Sequence, residues 1–273
     1  MPAVLLDLYN TLVPGGDAER DTLVADCARD VGADPAVLVE LFHSSWPWRM
    51  TGQLGSVEET LHTLAVRAGA APTPSRVRLA AARRRSFTRS QLWPSAGTLA
   101  ALASLRSLGW RLGVVTNCTI ETAELWSTTP LSTHVDAAVF SSVLGVGKPD
   151  PAIYLSACSL LGVAPQECVY VGDGADRELP TAAQLGMTVI RTVEYVAADS
   201  SWPPTRIRSL SELPALLGAP FVGAAPPPSP VGAQVAPGPA PVAPHAPVSP
   251  RVAPQVAPVE AGPSADPFAQ VRP

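Results

Sequence analysis

The sequence carries no surplus of positive charge, no clustered cysteines and no long uncharged apolar run. Its 273 residues hold 19 Lys and Arg against 23 Asp and Glu, a net charge of −4. The pI of about 5.6 offers no basic field to a nucleic acid. The four cysteines, Cys27, Cys118, Cys158 and Cys168, show no short paired spacing. Neither a disulfide framework nor a zinc site is expected from them, and a reducing, cytoplasmic compartment is the simpler inference. No stretch of about 18 residues is free of both charge and proline and apolar throughout, so no transmembrane helix is expected. No basic region precedes the first apolar run, and Asp7 interrupts that run, so no signal peptide is expected. His43, His62 and His134 have no ligand spacing and are taken as structural.

What is present is organised around the first apolar run, Ala3-Val4-Leu5-Leu6, which breaks at Asp7. Such a run reads as a central parallel strand buried on both faces. A carboxylate there is costly to bury without a partner, and open α/β sheets bind ligands at the carboxyl ends of their strands. Asp7 is therefore a candidate nucleophile or metal ligand; the alternative is an Asp that caps the next turn.

Between Gly15 and about Gln91 the pattern is helical without a convincing strand. Asp17 opens a helix to Val31, stopped by Gly32, and Asp34-Pro35 opens one through Phe42. Ser56-Val57-Glu58-Glu59 is a capping box, and a last helix runs from Ser75 towards Arg89. After Trp93-Pro94, strands and helices alternate. Strands are expected at Arg111–Thr116, Ala137–Ser141, Cys168–Gly172 and Met187–Thr192, with a closing helix over Ser209–Leu217. Alternation of this kind argues a Rossmann-like parallel sheet with helices on both faces. The expected organisation is an α/β core from 1–14 and 91–218, an inserted all-helical cap over 15–90, and a disordered tail over 219–273. The tail holds 16 of the 31 prolines and almost no charge. Repeated proline opposes both helix and ladder pairing. The tail is read as an inert extension or as a ligand for a proline-recognition module.

Three further strand ends carry polar groups. Thr116-Asn117 ends one strand and offers a hydroxyl and an amide. Lys148 sits in Gly145-Val146-Gly147-Lys148-Pro149-Asp150-Pro151 and could neutralise a carboxylate and a transferring phosphoryl group. Gly172-Asp173-Gly174-Ala175-Asp176-Arg177-Glu178 places carboxylates straight after a buried strand, where they suit a hard cation such as Mg²⁺. Each alone has a bland alternative: a turn, a surface lysine, a helix N-cap. Together they must meet at one edge of the sheet.

In these residues the chain resembles the haloacid dehalogenase-like hydrolase superfamily, in its helical-cap subgroup. Asp7-Leu8-Tyr9-Asn10-Thr11 matches the first motif, Thr116-Asn117 the second, Lys148 the third, and Gly172-Asp173 with Glu178 the fourth. The resemblance covers about residues 3–217. It implies a Mg²⁺-dependent phosphatase acting on a small phosphorylated molecule, with Asp7 forming an aspartyl-phosphate. The metal would be bound by Asp7, the Tyr9 carbonyl and Asp173, with Asp176 and Glu178 in its outer shell. Thr116 and Lys148 would hold the transferring group, and Asn117 would support the pocket. Tyr9 departs from the pattern, because most phosphatases of this family place a second Asp there as general acid and base. A phenol is a poor base at neutral pH. Tyrosine at this position resembles the 2-haloacid dehalogenases, whose halide leaves without a proton, but Asp173 keeps the metal carboxylate that those enzymes replace. A dehalogenase is therefore the alternative activity, and a low-turnover scaffold recruiting partners through the tail is the third. In the cap, Trp48 and Arg49, with Trp46, are candidate substrate contacts in a loop between helices. The basic run Arg83-Arg84-Arg85 is read as a solvated helix face, and Cys118 as a small buried residue.

Overall fold

The computed structural model describes residues 1–196, 205–218 and 251–252. In chain order the elements are β1 (Ala3–Leu6), α1 (Asp17–Val31), α2 (Pro35–Ser44), α3 (Trp46–Met50), α4 (Val57–Arg67), α5 (Pro74–Gln91) and α6 (Ala96–Ser107). There follow β2 (Arg111–Thr116), α7 (Ile120–Leu125), β3 (Ala137–Phe140), α8 (Ser141–Leu144), α9 (Pro151–Leu161), β4 (Cys168–Gly172), α10 (Glu178–Gln184) and β5 (Thr188–Thr192). β6 (Arg206–Ile207), α11 (Leu213–Leu217) and β7 (Arg251–Val252) complete the described chain. Among the described residues no helix is long and apolar enough to cross a membrane.

The strands form one parallel sheet in the order β6-β5-β4-β1-β2-β3-β7. β1 is central, paired on one side with β2 and on the other with β4. The chain builds outward from β1 through β2 to β3, then returns to the far side of β1 with β4. The strand order thus reverses beside β1, and the crevice of an open α/β sheet opens at such a switch point. Asp7 follows β1 and Asp173 follows β4, so the two carboxylates border that crevice.

Each face of the sheet has its own apolar layer. Val4, Leu6, Val114 and Val171 pack on one side with Leu102, Leu105 and Leu213. Leu5, Val115 and Tyr170 pack on the other with Ile153, Ala157 and Leu179. The helices α1 to α5 bury a third cluster of their own, centred on Leu38, Phe42, Leu61, Leu64 and Ala80. Local chemistry fixes the helix starts. Asp34 accepts from the backbone N–H of Ala36 and Val37, Ser56 and Glu59 form the capping box, Ser95 accepts from Thr98 N–H, and Asp150 accepts from Ala152 N–H.

Several local expectations are corrected. Trp46–Met50 is a short helix with Pro47 in its first turn, not a loop. Ser141 starts α8 rather than ending β3. The closing segment splits into a 3-10 turn at Leu210–Glu212 and α11. Most of the expected tail lies outside the described residues, but Arg251–Val252 pair in parallel with Ala137–Ala138 of β3. Cys158 Sγ and Cys168 Sγ approach to 3.7 Å although their spacing gave no sign of pairing, and both remain free thiols.

Candidate active site

The loop leaving β1 is tightly bound to itself. The Leu8 carbonyl accepts from the N–H groups of Thr11, Leu12 and Val13, and Asn10 N–H donates to the Val13 carbonyl at 2.7 Å. Asn10 is left-handed at φ 59°, a conformation Asn tolerates better than most residues. This turn lifts Tyr9 and Asn10 to the sheet edge. Asp7 N–H still donates to the Val171 carbonyl at 2.9 Å, which holds Asp7 in line with β4.

Asp7, Lys148 and Glu178 form a buried triad of charges. Lys148 Nζ donates to Asp7 Oδ1 at 2.5 Å and to Glu178 Oε2 at 2.7 Å. Glu178 is fully buried, and its carboxylate also accepts from Tyr170 Oη at 2.6 Å and from Gly174 N–H at 3.0 Å. Tyr154 Oη donates to the Glu178 carbonyl at 3.1 Å. A Cβ at position 172 would lie 2.0 Å from Glu178 Oε1, so a side chain there would displace the buried Glu178 carboxylate. Asp173 Oδ1 accepts from Ala175 N–H, and Arg191 Nε donates to the Asp173 carbonyl. Asp7, Asp173 and Glu178 each place a carboxylate oxygen within 4.8 Å of the others. Glu178, expected only at a distance from a metal, thus belongs to the carboxylate cluster itself.

Asn117 is a structural bridge. Its Oδ1 accepts from Lys148 N–H at 2.7 Å, and its Nδ2 donates to the Lys148 carbonyl and to Asp176 Oδ2 at 2.9 and 2.8 Å. Gly147 makes room for it, because a Cβ there would meet Asn117 Oδ1 at 2.5 Å. Thr116 lies behind the cavity rather than on its wall, fully buried, with its hydroxyl donating to the Asn117 carbonyl at 3.4 Å.

The electrostatics are those of too many carboxylates for one ammonium. Burial raises the Asp7 carboxyl to about 7; Lys148 opposes this, while Glu178 and Asp173 add to it. Burial likewise raises Asp173 above the usual carboxylate range. Burial works against the Lys148 charge, but Asp7 and Glu178 overcome it and hold the ammonium well above its ordinary value. Burial also pushes the Tyr9 phenol far above its ordinary value. Its hydroxyl sits 2.9 Å from Thr122 Oγ1.

These groups form the floor of a cavity of about 470 Å³ that also touches α1, α2, α3 and α5. Asp7, Tyr9, Asn10, Asn117, Lys148, Asp173 and Asp176 line it from the sheet, and Arg20, Phe42, Trp46, Arg49, Arg84 and Phe87 from the helices. Trp48 does not line it and packs against the helical cluster instead; Trp46 takes that place. His43, taken as structural, also lines it, with Nε2 2.8 Å from Asp21 Oδ1. The basic run on α5 is not a free solvated face. Arg83 pairs with Asp30, Arg85 with Glu58 and Glu124, and Arg84 is buried against Glu121 at 2.6 Å.

The arrangement of a buried nucleophile-like carboxylate, a lysine and a neighbouring carboxylate cluster at a sheet switch point agrees with the match of residues 1–186 to the model of the haloacid dehalogenase-like hydrolases. The chain belongs to that family. Family membership makes it a hydrolase. It is 33% identical over 195 residues to a glyceraldehyde 3-phosphate phosphatase from Methanopyrus kandleri, covering 69% of this chain and 82% of that enzyme. It is 31% identical over 230 residues to a plasmid-encoded phosphoglycolate phosphatase from Cupriavidus necator, covering 79% of this chain and 92% of that one. Among solved structures, a phosphatase of the family from Thermococcus onnurineus superposes with a TM-score of 0.58 at 25% identity, covering 81% of this chain and all of that one.

Composition held signals of the site that motif reading missed. Of 19 Lys and Arg, Lys148 is the single lysine, so 18 are arginine. A compact ammonium fits between two carboxylates where a planar guanidinium does not. The only two asparagines of the chain, Asn10 and Asn117, both line the cavity. Tyr170, Arg191 and the Arg84–Glu121 pair carried no such signal, because their partners are distant in sequence.

Proposed function

We propose that the protein is a phosphatase that hydrolyses a small phosphorylated molecule through an aspartyl-phosphate on Asp7. The observation that carries this is the Asp7–Lys148 contact at the floor of a cavity closed by helices. Asp7 attacks phosphorus, the ester P–O bond breaks and the alcohol leaves; water then cleaves the aspartyl-phosphate and frees Asp7 and phosphate. Lys148 offsets the charge of the transferring group and orients Asp7. Thr116 can donate to the transferring group only if its hydroxyl turns from the Asn117 carbonyl towards the cavity, and Asn117 holds the Lys148 loop and Asp176 in place. The helical block over 15–90 serves as the cap, with Arg49 contacting the substrate from above.

The residues fit a divalent cation. Three carboxylates facing one ammonium leave a formal charge of −2, and all the donors are hard oxygens. Mg²⁺ would be held by Asp7, Asp173 and the Tyr9 carbonyl, where it would neutralise phosphoryl charge. Both Glu178 oxygens already accept hydrogen bonds, which suits it to positioning Lys148, while Asp176 steadies Asn117.

Tyr9 supports a second reading, a 2-haloacid dehalogenase, since a halide needs no proton to leave. The carboxylate cluster favours the phosphatase. The deciding experiment is a screen of phosphate esters and 2-haloacids with Mg²⁺ and with chelator. Phosphate release that requires Mg²⁺ is expected; halide release in excess chelator would replace this reading with the dehalogenase. The four unpaired cysteines support a reducing, cytoplasmic setting.

A further inference from the structure

The cavity roof contains a cation without a paired counter-ion among the described residues. Arg49 Nη2 donates to the Phe42 carbonyl at 2.7 Å and Nε to Ser45 Oγ at 3.1 Å. Both acceptors are neutral. A guanidinium has five N–H donors, so most of its edge is unused by the described residues. Its carbon lies 4.7 Å from the Phe42 ring centroid and 5.4 Å from that of Trp46, which fixes the group against the cavity wall. Arg84 approaches the same Phe42 ring at 4.8 Å, but its charge is taken up by Glu121. No carboxylate among the described residues pairs with Arg49. Burial, and then repulsion from Arg84, push its guanidinium down to about 9 against a smaller attraction from Glu121, so it is still charged at neutral pH and gains from any anion brought to it.

The sheet side of the cavity is already committed. Lys148, Asp7 and Asp173 form the end where a phosphoryl group would react, and Arg49 lines the same space from α3. A substrate that fills the cavity from the sheet side to α3 presents its phosphoryl group to Lys148 and another group to Arg49. One uncompensated positive charge in a planar, forked geometry matches a carboxylate, which accepts two parallel N–H bonds from a guanidinium.

We infer that the substrate carries a carboxylate in addition to its phosphoryl group, and that Arg49 selects for it. The phosphoryl half of this statement rests on the proposed phosphatase activity; the carboxylate half rests on Arg49.

The test uses a matched pair, 3-phosphoglycerate and glycerol 3-phosphate, which differ in a carboxylate against a hydroxymethyl group. The full-length protein is assayed with Mg²⁺. The ratio of kcat/KM for the acid over the alcohol is expected to be about 10- to 100-fold, the worth of a charge-assisted hydrogen bond. Arg49→Gln, with helix content checked by circular dichroism, is expected to bring the ratio near one, and Arg49→Lys to leave it intermediate. A wild-type ratio near one, or a loss in Arg49→Gln equal for both esters, overturns the inference and leaves Arg49 a tie between α2 and α3. Titration calorimetry of both compounds against Asp7→Asn, with and without Arg49→Gln, needs no turnover. If neither ester, both alkyl phosphates with poor leaving groups, is hydrolysed, the calorimetry alone decides. Preferential binding of the acid that Arg49→Gln removes still supports the inference, and equal or absent binding overturns it.

Discussion

Lys148 Nζ lies 2.5 Å from Asp7 Oδ1, and both groups are buried where β1 meets β4. An ammonium in this position restrains the carboxylate that would attack and offsets the charge that arrives with a phosphoryl group. Asp7→Asn should abolish turnover while the fold persists, because the amide is nearly isosteric and not nucleophilic. Lys148→Arg should cost about 10²- to 10³-fold in kcat, as for loss of a preorganised charge-stabilising donor. Steady-state kinetics with thermal melts check both, and wild-type turnover in Asp7→Asn removes Asp7 as nucleophile.

The carboxylate cluster predicts a pH-dependent response to metal. The Asp7 carboxyl is raised from 3.8 to about 7 in the folded chain. Folded protein therefore holds a proton that unfolded chain has released, so stability from this group falls as pH rises from about 4 through 7. A bound divalent cation removes that penalty. Melting temperatures in chelator should drop between pH 5 and pH 8, and Mg²⁺ should raise the melting temperature more at pH 8 than at pH 5. A Mg²⁺ shift that is absent, or the same at both pH values, contradicts the assignment. Asp173→Ala should abolish the shift and activity together.

Tyr9 predicts a dependence on leaving group. Its hydroxyl is turned to Thr122, and its proton is held more tightly than that of a free phenol. Neither property suits a general acid, whose loss typically costs about 10²- to 10⁴-fold. Across phosphate monoesters of rising leaving-group pKa, turnover should fall steeply, with aryl and acyl phosphates fastest. Tyr9→Phe should follow the same slope, and Tyr9→Asp should flatten it. A flat series in the native protein assigns the acid to another residue.

The Arg84–Glu121 pair predicts a stability effect. It joins α5 to α7, with both side chains buried. Burial works to raise the Glu121 carboxyl, and Arg84 overcomes it, leaving the group below its ordinary value. Its contribution to stability is present above the ordinary carboxylate pKa and lost as pH falls through the lowered one. Glu121→Ala strands Arg84 without a partner and should cost about 3–5 kcal/mol by denaturant titration at neutral pH. A loss below about 1 kcal/mol, typical of exposed pairs, would mean that Arg84 finds water or another anion.

The amino-acid pattern by itself determined the elements and the chemistry of the sheet edge. Helix starts at Asp34, Ser56, Ser95 and Asp150 depend on bonds spanning two or three residues, so they are written locally. The apolar runs ending in Asp7, Thr116 and Gly172 mark strands whose ends must lie together once the sheet is parallel. Tertiary structure decided the partners. Glu178 turns back on Gly172 because the intervening loop enters left-handed backbone at Gly174, Asp176 and Arg177, and its carboxylate then meets Lys148 from 30 residues away. Trp46 rather than Trp48 reaches the cavity because Trp46–Met50 coils into a helix and turns alternate side chains to different faces. Arg84 is buried rather than solvated because α7, 37 residues later, presents Glu121 to it. Local propensity acts over a single turn, whereas these pairings exist only after the chain has packed, and no spacing in the sequence encodes them.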